Sequence, residues 1–195
     1  MKSISNMTYK ELKYHFVKSL TNHYQLREID SFFTMILFHL KQWNKIDFSL
    51  NKNELLNINE KSFFDDKIKL LIEGNPLQYI IGEVIFHQLS IKVNKSVLIP
   101  RPETEELVHL ICENREKKGL ENILDVGTGS GCIALALKSV FSNTDCVGID
   151  ISKAAIQIAK KNAELLNLNV EFIIDDIFNS NVKRKFEAIV SNPPY

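Results

Sequence analysis

The sequence predicts an α/β fold: a doubly wound parallel sheet preceded by a small helical domain and a β-hairpin linker. Three observations predict it. Apolar residues recur at helical spacing, without strand-like alternation, from Thr8 to about Glu73. After Pro102, short β-type runs alternate with helical segments over short connections. A glycine-rich turn, Gly127-Thr128-Gly129-Ser130-Gly131, stands where the first of those strands should pass into a helix. With 195 residues, 45% hydrophobic and 25% charged, the chain can bury one full domain and a smaller one, which excludes a peptide, a fibre and a disordered chain.

The helical domain is assigned to residues 1–74. Its apolar stripes are Leu12, Phe16 and Leu20, then Ile29, Phe33, Ile36, Leu37 and Leu40, then Phe64, Ile68, Leu71 and Ile72. An Asn-rich break over 51–59 separates the later helices, and Gly74-Asn75-Pro76 ends the last because proline cannot continue it. Residues 75–101 are read as the linker. There VIFHQLSIKVNKSVLIP gives two short strands with a turn near Asn94, and Leu89, Ile91 and Val93 share a face. The third region, 102–195, opens on Pro102, whose fixed φ suits a first helical turn. Glu103, Glu105 and Glu106 favour the positive end of that helix, which is predicted to run to about Lys118. Strand 123–126, helix 132–141, strand 146–149, helix 152–167 and strands 170–174 and 186–190 follow. Such an alternation places a ligand at the carboxyl ends of the strands.

Charge and cysteine usage narrow the function classes. Lys+Arg 24 balance Asp+Glu 24, which argues against an affinity built on neutralising many backbone phosphates. The N-terminus MKSISNMTYKELK lacks the apolar core of an export signal, and no run approaches the roughly 18 apolar residues of a membrane span. The sequence therefore reads as soluble and cytoplasmic. Cys112, Cys132 and Cys146 form no CxxC pair and leave one over, so they are read as packed small hydrophobes, with neither a disulfide framework nor a metal site. His87 falls in a hairpin strand with no evident partner and is read as a packed or solvent-facing imidazole.

Four features carry chemistry. The loop spacing GxGxG departs from the dinucleotide pattern GxGxxG, because Cys132 stands where its third glycine would fall. A compact loop of this kind suits an uncharged ribose or amino-acid moiety, and it resembles the signature loop of S-adenosylmethionine (SAM) methyltransferases. Asp150 ends the strand CVGID, where a carboxylate accepts both ribose hydroxyl hydrogens or caps the next helix beside Ser152. Asp175-Asp176 closes the next strand, as a solvated turn or as an acceptor for an adenine amino group with Ile177 against the ring. Asn192-Pro193-Pro194-Tyr195 follows the strand EAIVS. The Asn192 carboxamide oxygen and the Pro193 carbonyl can accept both hydrogens of one NH2 group, and the Tyr195 ring offers a face to a planar group.

Together with Asn75-Pro76-Leu77-Gln78-Tyr79-Ile80-Ile81-Gly82 and Leu98-Ile99-Pro100-Arg101-Pro102-Glu103-Thr104-Glu105, these motifs resemble the HemK/PrmC group of protein-(glutamine-N5) methyltransferases. That group modifies class 1 peptide chain release factors. The resemblance covers 74–195, with the N-terminal region agreeing in helical type. NPPY is shared with DNA adenine-N6 methyltransferases, whereas its combination with IPRPET is far more specific.

The resemblance implies a Rossmann-like SAM-dependent methyltransferase domain over 102–195 and a substrate-recognition role for 1–74. It implies cofactor binding by Gly127, Thr128, Gly129, Ser130, Gly131, Asp150, Asp176, Ile177 and Asn192. Asn192, Pro193, Pro194 and Tyr195 would hold the glutamine of a release factor's GGQ motif, with Asn192 and Pro193 catalytic, in the service of translation termination. Arg101 and Glu103 stay near the methionine end without an assigned role. The implied partner is a release factor, with no membrane, no direct nucleic-acid contact and a monomer at full length. Such a domain is similar to a seven-stranded sheet, so 102–195 is expected to be partial, truncated after the fourth strand. The alternatives are a nucleic-acid adenine-N6 methyltransferase and a non-catalytic SAM-binding or interaction fragment.

Overall fold

In the computed structural model the described residues are 4–115, 120–180 and 182–193. The chain divides into two compact units, 1–81 and 82–195. The boundary falls inside the stretch 75–101 read as a linker, because a short helix there belongs to the first unit and the hairpin to the second.

The first unit contains β1 (Ile4–Thr8), α1 (Tyr9–Leu20), α2 (Leu26–Lys41), α3 (Lys45–Asn51), β2 (Leu55–Asn57), α4 (Ile58–Ile72) and α5 (Leu77–Ile81). Three of its helices start on reciprocal caps. Thr8 and Glu11, Asn44 and Asp47, and Asn57 and Glu60 each exchange side-chain and backbone hydrogen bonds, satisfying amides that a helix start leaves unpaired. The expected stripes form the core: Leu12, Phe16, Leu20, Ile29, Phe33, Ile36, Leu37, Phe64, Ile68 and Leu71 are buried, and the Phe16, Phe33 and Phe64 rings meet one another. Leu40 is only partly buried against this core, and Ile72 is exposed on the last turn of α4. The reading of 8–73 as wholly helical is corrected by β2, which pairs antiparallel with β1. Three residues, one of them buried, are too few to show an alternation.

The second unit opens with the antiparallel hairpin of β3 (Glu83–Phe86) and β4 (Leu89–Lys92). It reverses at His87-Gln88, not near Asn94. Both turn residues hold positive φ, 47° and 66°, as the tightest hairpin turns require, while Asn94 makes a separate turn by accepting from the Ser96 amide. His87 is therefore a turn residue, and its ring has a partner in His109, 5.0 Å away. Ile91 and Val93 are buried and Leu89 half-buried.

Next come α6 (Pro102–Arg115), β5 (Asn122–Val126), α7 (Cys132–Val140), β6 (Asp145–Asp150), α8 (Lys153–Leu166), β7 (Glu171–Ile174) and β8 (Ala188–Ser191). Residues 116–118, the expected end of α6, lie outside the described residues. β8 begins two residues later than expected, because the Glu187 amide donates to the Asn122 side chain at 2.7 Å instead of entering the ladder. The four strands are parallel in the order β7-β6-β5-β8. The chain thus winds outward from β5 to β7 and then crosses to the other side of β5, and this reversal opens a crevice at the carboxyl ends of β5 and β8. Every residue from Cys132 to Leu137 in α7 is buried, as a helix packed on several sides requires.

Burial pushes the Cys132 thiol up to about 12 and the Cys146 thiol up to about 11, so both are inert packing groups. Cys112 is only half-buried. Among the described residues no helix is long and apolar enough to cross a membrane, and no cluster of ligating side chains could hold a metal ion.

Candidate active site

A cavity of about 560 Å³ occupies the crevice at the strand ends. Each strand end contributes to its wall: Val126 of β5 and Gly127 after it, Asp150 of β6, Asp175 to Ile177 after β7, and Ser191 of β8 with Asn192 and Pro193 after it. Leu98, Ile151 and Phe178 add apolar surface. The sequence motifs, more than sixty residues apart at the extremes, are thus brought together by parallel register alone.

The glycine loop has an inner and an outer side. Gly127, Gly129 and Gly131 all hold positive φ, at 70°, 55° and 81°. Gly127 and Gly129 line the cavity, and nothing lies within 4 Å of the position a Gly127 Cβ would take. Thr128 and Ser130 point inward and are buried, and Gly131 precedes α7. The Gly127 and Thr128 amides both donate to the Ile149 carbonyl, which pins the loop to β6.

Two carboxylates organise this loop from opposite sides. Asp125 is fully buried beneath it and accepts from Thr128 Oγ1 at 2.6 Å and from the Ala134 amide at 3.3 Å. Burial pushes its carboxyl up to about 6 against those two hydrogen bonds, and the charge of Asp150 adds to the rise. Its Oδ1 has no partner among the described residues. Asp150 sits on the cavity wall, accepting from the Gly129 amide at 2.9 Å and from the Ser152 amide at 2.8 Å. Each of its oxygens retains capacity for a further donor. Asp150 thus faces the cavity and also braces the Ser152 amide ahead of α8, whose N-cap is Ser152 itself.

Beyond β7, Asp175 donates its amide to the Asp150 carbonyl, and Asp176 caps a 3-10 turn (Ile177–Asn179) through the Phe178 amide at 3.0 Å. Asp176 and Ile177 both line the cavity. Across the crevice, Ser191 Oγ donates to the Val126 carbonyl at 2.7 Å and so fixes the exit of β8 beside the loop. Asn192, the next residue, lines the cavity and donates its Nδ2 to Thr104 Oγ1 at 2.8 Å. Pro193 shares the wall, while Pro194 and Tyr195 lie outside the described residues. Arg101 and Glu103 are exposed and off the cavity wall, and the Arg101 carbonyl accepts from the Thr104 amide.

Sequence reasoning missed the supports of the loop. Gly148, opposite Asp125 in the β5–β6 register, is a glycine because a Cβ there would lie 2.6 Å from the Phe172 ring and 2.7 Å from Thr128 Oγ1. A lone glycine inside a strand was the available signal. Asn162, fully buried, accepts from the Lys92 amide at 2.8 Å and donates to the carbonyls of Lys92 at 3.0 Å and Ser130 at 2.9 Å. It ties hairpin, helix and glycine loop through one side chain. Its signal was an amide on the buried stripe Ala155-Ala159-Asn162-Ala163 of α8.

Comparison with known proteins agrees with this architecture. The PrmC N-terminal domain family matches residues 15–82, and the methyltransferase small domain family matches 104–195. A release factor glutamine methyltransferase of Flavobacterium psychrophilum is 40% identical over 193 residues, 97% of this chain and 68% of that protein. Those of Lactococcus lactis and Streptococcus pneumoniae are 45% and 40% identical over 75% and 84% of this chain, which spans 56% and 54% of their lengths. With both domain families in order along the chain and such identity over nearly its whole length, the chain belongs to the HemK/PrmC family of release factor glutamine methyltransferases.

Proposed function

We propose that this protein transfers a methyl group from SAM to the side-chain amide nitrogen of a glutamine in a class 1 peptide chain release factor. The observation that carries the reading is that one cavity joins the glycine loop and Asp150 on one side to Asn192 and Pro193 on the other. A nucleotide-sized ligand and an amide acceptor pair can therefore meet in it.

The residues present fit SAM. The open approach at Gly127 admits a ligand against the backbone, Asp150 can accept from two ribose hydroxyls, and Asp176 with Ile177 suits an adenine edge and face. Thr128 and Ser130 are buried and off the cavity wall, so their contribution to the cofactor site is through the loop they belong to. When bound, SAM supplies an electrophilic methyl group. A carboxamide nitrogen is a weak nucleophile because its lone pair is delocalised into the carbonyl, so the chain's own part is positioning. Asn192 Oδ1 and the Pro193 carbonyl accept the two amide hydrogens, which raises electron density on the nitrogen and aims its lone pair along one line. The nitrogen's proton leaves to water or a neighbouring acceptor after transfer, and no strong base is needed beforehand. The three relatives are named for release factors, which does not favour the nucleic-acid alternative.

The test is methyl transfer to a purified release factor, with the modified residue located by peptide mass spectrometry. Asn192→Ala should lower the transfer rate by roughly 10- to 100-fold while SAM affinity stays nearly unchanged. A methyl group on a residue other than glutamine, or a wild-type rate in Asn192→Ala, would contradict the proposal.

A further inference from the structure

We propose that Thr104 is a positioning residue that anchors the Asn192 carboxamide at the cavity. The inference rests on the functional reading above and deepens it. An asparagine amide is nearly symmetric in shape but opposite in chemistry at its two ends: rotation of the terminal group by half a turn exchanges an acceptor for a pair of donors. Facing the cavity with Oδ1, Asn192 accepts from a substrate NH2 group. Facing it with Nδ2, the same residue sets donor against donor and repels that group.

A carboxamide free to turn samples both arrangements. Thr104 Oγ1 accepts from Asn192 Nδ2 at 2.8 Å, which holds the amide with its Nδ2 end turned to α6 while the residue lines the cavity. Thr104 is itself 5% exposed, takes no part in the wall, and is held in the first turn of α6 by its amide bond to the Arg101 carbonyl at 3.0 Å. It reaches the cavity only through Asn192. The placement also explains what the IPRPET segment does, since Pro102 starts the helix and the residue two positions later is carried to the end of β8.

The experiment compares wild type, Thr104→Val and Thr104→Ser, because valine keeps the shape and removes the acceptor while serine keeps the acceptor and removes the methyl group. Thr104→Val should lower kcat for release-factor methylation about 10-fold, the loss of one oriented hydrogen bond, with SAM affinity and KM for the release factor within about 2-fold. Thr104→Ser should recover to within about 2-fold of wild type. A wild-type kcat in Thr104→Val overturns the assignment, as does equal slowing by Val and Ser, which would make the role one of shape. Should Thr104→Val not fold, Thr104→Ala carries the same expectation. The Asn192 side-chain NH2 signal of the 15N-labelled chain separates this inference from the functional reading. A slowly exchanging hydrogen present in wild type and Thr104→Ser but absent in Thr104→Val supports the assignment even if no methyl group is transferred, and an NH2 signal indifferent to Thr104→Val refutes it even if methylation proceeds.

Discussion

A methyl group at Gly131 would sit 2.8 Å from the Phe172 ring and 3.1 Å from the Ala159 Cβ, whereas the same group at Gly127 would meet nothing within 4 Å. Packing inside the protein thus demands one glycine of the loop, while the other stands beside open space on the cavity wall. Both hold a positive φ that an alanine resists. Gly131→Ala should therefore cost roughly 2–5 kcal/mol of stability, combining overpacking with backbone strain. Gly127→Ala should cost only about 1 kcal/mol for its backbone conformation, yet weaken SAM binding by about 10-fold or more because its Cβ enters the ligand's space. Thermal unfolding and calorimetric titration of the two variants check this split, and equal effects on both readouts would remove the distinction. The GxGxG spacing made the loop itself legible in the sequence, but it could not tell inner from outer glycines. That difference lives in Phe172 and Ala159, which come from other elements of the sheet and its helices. Asp125 was legible only as a neighbour of the loop, since a carboxylate's burial depends on what covers it.

Helix α8 acts at the next scale, because Asn162 makes it a strut between β4 and the glycine loop. Asn162→Ala would leave the buried Ser130 carbonyl and the part-buried Lys92 amide and carbonyl without this partner. We expect a loss of about 2–4 kcal/mol, read as a shift of the denaturation midpoint. A loss below about 0.5 kcal/mol would mean that the strut is idle. The parallel strands and the helices between them were legible because long periodic runs and short connections leave few arrangements. The hairpin was legible as a pair of strands but not in its turn: Asn94 is the better turn residue by composition, yet His87-Gln88 closes the hairpin, because the pairing of Phe86 with Leu89 leaves only two residues between the strands. The β1–β2 pair was invisible for a related reason, since its register is set by contact between segments nearly fifty residues apart.

The whole molecule comprises two units, and the described part of the candidate site lies wholly in 82–195. The strand order β7-β6-β5-β8 brings the glycine loop after β5 and Asn192 after β8 together at the reversal beside β5. Balanced charge fits a ligand held by shape and hydrogen bonds. All of this rests on the cavity taking SAM, and titration calorimetry of SAM into the wild-type chain and Asp150→Ala tests that most directly. One site per chain is expected, with affinity about 10-fold or more weaker in Asp150→Ala, since the variant removes the proposed acceptor of the ribose hydroxyls and the brace of the Gly129 amide together. No binding by the wild type, or the same affinity in both chains, would contradict it.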